Sequence, residues 1–271
     1  MAPCGCTVYT TPLLIRVGEK SLLSSIPVRM VLIAALVMLS ACATTDEEEE
    51  SNLGASELYK EAKEALEAGD YETAVQRYES LEARYPFGQY AQQAQLDIAY
   101  AYFKFDEPES AIAAADRFIK LYPRHPRVDY AYYLRGIIKF AQGKGAFDGL
   151  ESQDPAKRDP GAAEKAFRYF SEVVQRFPDS EYAEDAALRM IYLRNNLARH
   201  HLLVAQFYMK REAYVAVVNR AKHIVETFHE SPSVVPALEL MADAYEHLGL
   251  HDLAKDARRV YEKNKDKNKE G

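Results

Sequence analysis

A spacing of 37 residues recurs along this chain and constrains its fold more than any other feature. The small residues Ala62, Ala99 and Gly136 follow one another at this spacing, and Ala205 and Ala242 repeat it. Apolar residues around them recur every three to four positions, which is typical of helices with one buried face. Self-similarity at a fixed period indicates repeated units that must stack to bury their apolar faces. The sequence therefore predicts an array of helix pairs.

A second set of positions carries the same period and marks the second helix of each unit. Ala74 and Ala111 are 37 residues apart, as are Val217 and Ala254. Between them lies Ala166, at intervals of 55 and 51 residues that equal 37 plus insertions of 18 and 14. Small side chains at such positions let paired helices approach closely. These predicted close contacts lie at residues 62, 74, 99, 111, 136, 166, 205, 242 and 254.

Turns and insertions follow from the glycines and prolines. Gly69-Asp70 and Gly249 predict tight turns inside the first and last units. The segment 142–161 is rich in glycine and proline, which predicts a loop. The segment 182–209 contains neither residue, which predicts one or two long helices.

The order of small residue, small residue, aromatic residue and proline, which is complete in the first three units, resembles the tetratricopeptide repeat, whose usual length is about 34 residues. We predict an all-α fold, a right-handed superhelix of about five helix pairs whose concave face binds extended peptides or helices. An irregular helical bundle is the alternative, but it does not explain a period that occurs five times. The predicted units span about 57–86, 92–123, 128–178, 182–229 and 234–262.

An export signal precedes the repeats. Arg29 is followed by the apolar run 30–41 and then by Cys42. A run of about 12 residues is too short for a membrane-spanning helix, and a basic flank with small residues at its end is typical of a signal peptide. The segment Leu39-Ser-Ala-Cys42 resembles the lipobox of bacterial lipoproteins, which implies cleavage before Cys42 and acylation there. The alternative is an ordinary signal peptide in which Cys42 is incidental.

These features divide the chain. Residues 1–41 are the predicted signal peptide. Residues 1–29 are unusually long for the segment that precedes the apolar run of a signal peptide, which suggests that translation starts further downstream. Residues 42–56 are acidic and weakly apolar, which predicts a flexible, lipidated tether. Residues 263–271 are rich in lysine, asparagine and glutamate, which predicts a disordered tail.

Charge and cysteine content exclude several classes of protein. Cleavage before Cys42 would leave 31 of 34 basic and 40 of 41 acidic residues, a net charge of −9. Nucleic-acid binding requires a basic face, so we predict no nucleic-acid partner. Because Cys4 and Cys6 would be removed, Cys42 would be the sole remaining cysteine and could form no intramolecular disulfide.

Residues that could catalyse a reaction or bind a metal are not grouped in the sequence. None of the seven histidines lies in an H-E-x-x-H motif. His247 and His251 flank the predicted turn at Gly249, and the adjacent His200 and His201 should point in different directions on a helix. No G-x-S-x-G, G-x-x-x-x-G-K or G-x-G-x-x-G motif occurs. We therefore predict no catalytic residue, metal site or cofactor, and a protein that is not an enzyme.

One group of aromatic residues differs from those at core positions. Tyr85, Phe87 and Tyr90 lie in the predicted linker between the first two units, where only some side chains can be buried. Rigid aromatic side chains in such a place could bind an extended peptide. Packing between neighbouring units is the alternative.

Six runs of residues carry a more specific resemblance. They are Arg84-Tyr-Pro-Phe-Gly-Gln-Tyr90, Gln95-Leu-Asp-Ile-Ala-Tyr-Ala-Tyr102, Asp116-Arg-Phe-Ile119, His125-Pro126 with Asp129-Tyr130, Arg158-Asp-Pro160 and Val215-Ala-Val-Val-Asn-Arg220. Several of them, notably R-Y-P-F-G, R-D-P and V-A-V-V-N-R, do not lie at generic repeat positions. On these runs, the chain beyond Cys42 resembles the BamD-like family of outer-membrane assembly lipoproteins along nearly its whole length.

The resemblance implies a lipid-anchored protein on the periplasmic face of the outer membrane that binds the barrel protein BamA and unfolded outer-membrane proteins. In this family the first repeats are linked to substrates, which implies such a role for Tyr85, Phe87 and Tyr90. Arg220 matches the family arginine at the BamA interface, where it would pair with an acidic residue, and Asn219 lies beside it. The alternative for Arg220 is a surface cation in a weak local ion pair.

The leading hypothesis is a non-catalytic lipoprotein scaffold of the barrel assembly complex. One alternative is a periplasmic repeat adaptor that coordinates envelope or cell-wall enzymes, against which the R-Y-P-F-G and V-A-V-V-N-R runs argue. Another is a repeat-bearing subunit of a peptidoglycan hydrolase, against which the missing catalytic motifs argue.

Overall fold

The structure is a computed structural model that describes residues 54–144 and 154–265. The predicted signal peptide, Cys42, most of the predicted tether and all but the first three residues of the predicted tail lie outside the described residues. So do Gly145 and Gly149 of the predicted loop at 142–161. Within the described ranges, the helical array extends slightly beyond the predicted limits, since its first helix begins at Ala55 and its last helix ends at Asn264.

The described residues form ten α-helices and no strand, which confirms the all-α prediction. Each helix packs on the next one along the chain, and the first helices of several successive pairs also contact each other. The predicted array of five helix pairs is therefore present. The helices are α1 (Ala55–Ala68), α2 (Tyr71–Arg84), α3 (Gln89–Lys104), α4 (Pro108–Leu121), α5 (Val128–Lys144), α6 (Gly161–Arg176), α7 (Ala183–Met209), α8 (Tyr214–Thr227), α9 (Val234–His247) and α10 (His251–Asn264).

The two insertions have different structures. The second forms part of α7, a single helix of 27 residues, as the absence of glycine and proline predicted. In the first, α5 continues through Gly143 to Lys144, so the loop begins later than predicted. A short 3-10 helix at Pro155–Lys157 then leads to α6.

The small residues that set the period lie at the contacts between helices, as predicted. All nine positions are buried, and eight of them are alanines with at most 2% of their surface exposed. The alanines are Ala62, Ala74, Ala99, Ala111, Ala166, Ala205, Ala242 and Ala254.

The turns inside the pairs repeat a backbone conformation as well as a spacing. Gly69 and Gly249 have φ angles of +82° and +73°, which confirms the two predicted turns. Asp106 and Glu212 take the same left-handed conformation, at +63° and +59°, and each lies 37 residues from one of these glycines. In all four turns the residue that follows donates its N–H to a carbonyl in the last turn of the helix, at 2.9 to 3.1 Å. This geometry caps the helix and reverses the chain.

Gly136 marks the tightest approach between paired helices. A Cβ atom at this position would lie 2.5 Å from Cε1 of Phe170, closer than two carbon atoms can pack. Phe170 on α6 is fully buried, so its ring has little room to move. The repeat therefore needs glycine here, where the other units have alanine.

A Gly136→Ala variant should be less stable than the wild type by about 1–3 kcal/mol, because the added methyl group overpacks the contact with Phe170. Gly143→Ala on the same helix is the matched control, since its Cβ would meet only Ala162 at 4.0 Å. It should be unchanged or up to about 1 kcal/mol more stable. Urea unfolding of both variants measures the difference, and equal stability would contradict the close approach.

Candidate functional site

Tyr85, Phe87 and Tyr90 form an exposed group at the junction of the first two helix pairs, which we call the aromatic surface. Tyr85 directly follows α2 and Phe87 lies in the connection, but Tyr90 is in the first turn of α3 and not in the linker as predicted. Their exposed fractions are 38%, 89% and 37%. Simple packing between units therefore does not account for Phe87.

The aromatic surface rests on a buried polar anchor. The ring of Tyr90 lies 5.6 Å from that of Tyr59 on α1. Tyr59 donates its hydroxyl hydrogen to Oδ2 of Asp97 at 2.9 Å, and Gln93 donates to Oδ1 at 2.9 Å. Burial, followed by the charge of Asp97, raises the pKa of the Tyr59 hydroxyl above its ordinary value, so Tyr59 remains a donor. These bonds fix α1 against α3 beneath the exposed rings.

Asn219 and Arg220 lie on α8, far along the chain from the aromatic surface, and we call them the arginine surface. Asn219 is exposed and Arg220 is half-buried. Arg220 Nη1 lies 3.1 Å from Nδ1 of His201 on α7. The arginine is therefore held by a histidine and not by a carboxylate, which leaves its positive charge uncompensated in this contact.

His201 is a buried residue that sequence reasoning missed. Only 7% of its surface is exposed, its ring stacks on Phe228 at 5.8 Å and it meets the edge of His223 at 4.6 Å. The adjacent His200 places its Nδ1 2.8 Å from the carbonyl of Ala156, but its ring still meets that of His201 edge to face at 5.6 Å. No sequence motif marks this pair, because the contact joins residues 19 positions apart on two different helices.

The protonation state of His201 follows from its surroundings. Burial, followed by the nearby His223, Arg220 and His200 in that order, lowers the pKa of its imidazole to about 4. A neutral imidazole has one nitrogen that accepts a hydrogen bond, so His201 can accept from Arg220. At neutral pH Arg220 is therefore the only cation in the contact. Arg220 donates the hydrogen bond and His201 accepts it.

This contact should make the stability of the protein sensitive to mild acid. The pKa of His201 in the folded protein lies below its ordinary value of 6.5. The contribution of the neutral imidazole to folding stability is therefore complete above pH 6.5 and is lost as the pH falls toward 4. As the pH falls, His201 of the unfolded chain is protonated before His201 of the folded protein, and this favours the unfolded state. The free energy of unfolding should therefore fall by about 2 kcal/mol by pH 5. Urea unfolding at pH 7.5 and pH 5 measures this loss.

A His201→Phe variant should lose about 2 kcal/mol less than the wild type over that range, because it has no proton to bind. His229→Gln, which changes an exposed histidine, is the control and should lose as much stability as the wild type. Identical pH dependence for His201→Phe and wild type would show that His201 is not buried in its neutral form.

The R-D-P run has a structural role between α5 and α6. Arg158 donates to the carbonyl of Gly143 at 3.0 Å, and Oδ1 of Asp159 accepts from the N–H of Gly161 at 3.3 Å. Arg199 on α7 forms an ion pair with Asp154 at 2.6 Å. These bonds connect the end of α5, the start of α6 and the middle of α7.

The part of the chain that the structure describes offers neither a metal site nor a membrane span. Across 54–144 and 154–265, no three histidine, cysteine, aspartate or glutamate side chains come close enough together to hold a metal ion. No helix in this part of the chain is both long enough and apolar enough to cross a membrane. The two exposed surfaces are thus the main candidates for function.

Known proteins of one family are similar to this chain over most of its length. Residues 51–260 match the model of the YfiO family, described as outer membrane lipoprotein. The chain is 44% identical over 231 residues to the outer membrane protein assembly factor BamD of Neisseria meningitidis serogroup A, covering 83% of this chain and 86% of that protein. It is 37% identical over 230 residues to the factor of the same name from Vibrio cholerae, covering 85% and 95%. The chain therefore belongs to the BamD family of outer membrane protein assembly factors.

Proposed function

We propose that this protein is a non-catalytic scaffold of the outer-membrane barrel assembly complex. It binds unfolded barrel proteins at the aromatic surface and BamA at the arginine surface. The exposure of Phe87, at 89%, carries the substrate half of this proposal. A phenylalanine that is almost fully exposed between two half-exposed tyrosines is a patch that a soluble helical array has no structural reason to keep.

The chemistry of the aromatic surface suits an unfolded barrel segment. Strands of outer-membrane barrels alternate apolar and polar residues and carry aromatic residues near both membrane interfaces. Before insertion, such a segment is an extended chain with one apolar face. Phe87 offers that face an apolar contact, while the hydroxyl groups of Tyr85 and Tyr90 can bond to polar atoms at its edge.

The arginine surface suits an acidic partner. Arg220 is half-buried, so its guanidinium group is oriented, and its contact with neutral His201 leaves the charge available. A carboxylate on BamA could form a two-pronged bond with it. Exposed Asn219 lies beside it and could bond to the same segment.

A lipid anchor at Cys42 would hold the scaffold at the periplasmic face of the outer membrane. Cys42 lies outside the described residues, and the first described helix begins at Ala55. The intervening segment 43–54 is acidic and short. It would keep the helix pairs within reach of a barrel protein embedded in the same membrane.

Binding of a peptide that copies the last strand of an outer-membrane barrel tests the proposal. A Phe87→Ser variant should bind a fluorescent form of this peptide at least about tenfold more weakly, because burial of a phenylalanine contributes about 1.5–3 kcal/mol. Fluorescence anisotropy gives the dissociation constants.

Phe207→Ser is the matched control, since Phe207 is also exposed, at 50%, but lies on α7. It should bind the peptide as the wild type does. Equal binding by Phe87→Ser and wild type would remove the aromatic surface from substrate recognition.

A further inference from the structure

A cleft next to the aromatic surface has features that none of the functions above uses. It is an open cavity of about 540 Å³ bounded by α2, α3 and α4. We call it the acidic cleft, and define it by Glu79, Glu82, Gln95, Tyr102 and Arg117, which all line it. Its volume is within the range of sites that bind small groups or side chains.

Gln95 at the cleft is a buried polar residue with an unused bonding position. Only 4% of its surface is exposed, and its Oε1 atom has no hydrogen-bond partner among the described residues. Buried acceptors in native proteins are nearly always satisfied, so an unpaired one next to a cavity indicates a donor that arrives from outside the chain.

Two carboxylates give the cleft its charge. Glu79 and Glu82 are three residues apart on α2 and therefore share a face. Glu79 accepts a hydrogen bond from the Tyr102 hydroxyl through Oε1, and Glu82 accepts one from Arg117 at 3.1 Å through Oε2. Each of these bonds uses one oxygen of its carboxylate. Two carboxylates and one guanidinium leave the cleft with a net charge of −1.

The electrostatics of Glu82 favour a second cation. Burial raises the pKa of its carboxyl group above the ordinary value, Arg117 counteracts the rise, and the charge of Glu79 adds to it. The Arg117 side chain is 60% exposed, so solvent weakens its compensation of the two acids. A further positive group in the cleft would stabilise both carboxylates.

The walls restrict what that positive group can be. Ile98, Ala113 and Ala114 give the cleft an apolar lining beside its acidic rim. A lysine or arginine side chain matches both parts, because its aliphatic stem packs on apolar atoms while its head donates several hydrogen bonds. A small hydrated cation would leave the apolar wall without a contact.

We propose that the acidic cleft binds a lysine or arginine side chain of the same extended segment that the aromatic surface binds. One extended segment could reach both sites, since Glu82 of the cleft lies in the last turn of α2 and Tyr85 of the aromatic surface directly follows that helix. This inference rests on the proposed function, because the occupant is the unfolded barrel substrate. The cleft would add a preference for a basic residue near the aromatic anchor of that substrate.

Two forms of one fluorescent peptide test the cleft on the intact chain. The peptide copies a barrel strand with one lysine, and in the second form that lysine is acetylated and therefore neutral. The intact chain should bind the lysine form about tenfold more tightly, because hydrogen bonds to charged groups are strong. The preference should decrease as the salt concentration rises.

Variants locate the preference. Glu79→Gln with Glu82→Gln should reduce it to less than about twofold, since both charges are lost. Gln95→Met removes the buried acceptor without a change in charge, and should reduce the preference while the midpoint of thermal unfolding stays the same or rises. Glu72→Gln, on the same helix but outside the cleft, should keep the full preference.

Each of the other outcomes refutes either the acidic cleft alone or the cleft together with substrate recognition. Equal binding of both peptide forms by the intact chain refutes the acidic cleft and leaves the aromatic surface standing. A preference that persists in the Glu79→Gln, Glu82→Gln variant also refutes the cleft. No binding of either form refutes the proposed substrate recognition and the cleft together.

Discussion

Replacing Cys42 with serine is expected to move the protein from the membrane fraction to the soluble periplasmic fraction. Acylation requires the thiol, and serine cannot form the thioether to which the first lipid is attached. Two or more acyl chains anchor a protein firmly, whereas the remaining acidic chain has no basic patch for anionic lipid. The loss of membrane association should therefore be nearly complete.

Fractionation after a carbonate wash is the measurement, because the wash removes proteins held only by other proteins. Cys4→Ser with Cys6→Ser is the matched control, since both residues lie in the predicted signal segment and would be removed with it. This control should remain in the membrane fraction. If Cys42→Ser stays there as well, the lipid anchor is wrong.

The period of the sequence predicted the helix pairs because stacking imposes the same demand on every unit. Each pair must bury small residues where its helices meet, and the nine predicted positions are all buried. The turns were predicted only where glycine occurs. Asp106 and Glu212 were missed because residues with a side chain seldom adopt the left-handed conformation. Their distance of 37 residues from Gly69 and Gly249 is the signal that could have identified them.

The candidate site was predictable only in part, because exposure and pairing depend on contacts between distant segments. The aromatic motif indicated Phe87, but the partial cover of Tyr90 comes from Tyr59 on α1. The burial of Arg135 in the core could not be predicted from the sequence for the same reason. Arg135 is buried between Asp116 at 2.6 Å and Glu172 at 2.8 Å, whereas charged helix residues are usually assigned to a solvated face.

An Arg220→Glu variant should lose most of its binding to BamA. The substitution replaces an oriented cation with an anion opposite the proposed acidic residue, which should cost about 2–5 kcal/mol, or at least about 30-fold in affinity. His201 would then lie next to a carboxylate, which can accept a hydrogen bond from the imidazole. The fold should therefore remain, and the helical circular-dichroism signal should match that of the wild type.

Lys222→Glu is the matched control for this change. Lys222 is exposed on the same helix and pairs with Glu226 at 3.7 Å, but it lies two residues further on and faces another direction. It reverses the same charge on α8 without altering the arginine surface. Its recovery of BamA should equal that of the wild type.

We propose that this protein works as a scaffold bound to the barrel component of the assembly complex. The amount of BamA that co-purifies with the full-length protein from detergent-solubilised outer membranes measures this binding. We expect near-equal amounts of BamA with the wild type and with Lys222→Glu, and less than about a tenth of that with Arg220→Glu. The absence of BamA from the wild-type preparation, or its equal recovery with Arg220→Glu, would show that the protein is not such a scaffold.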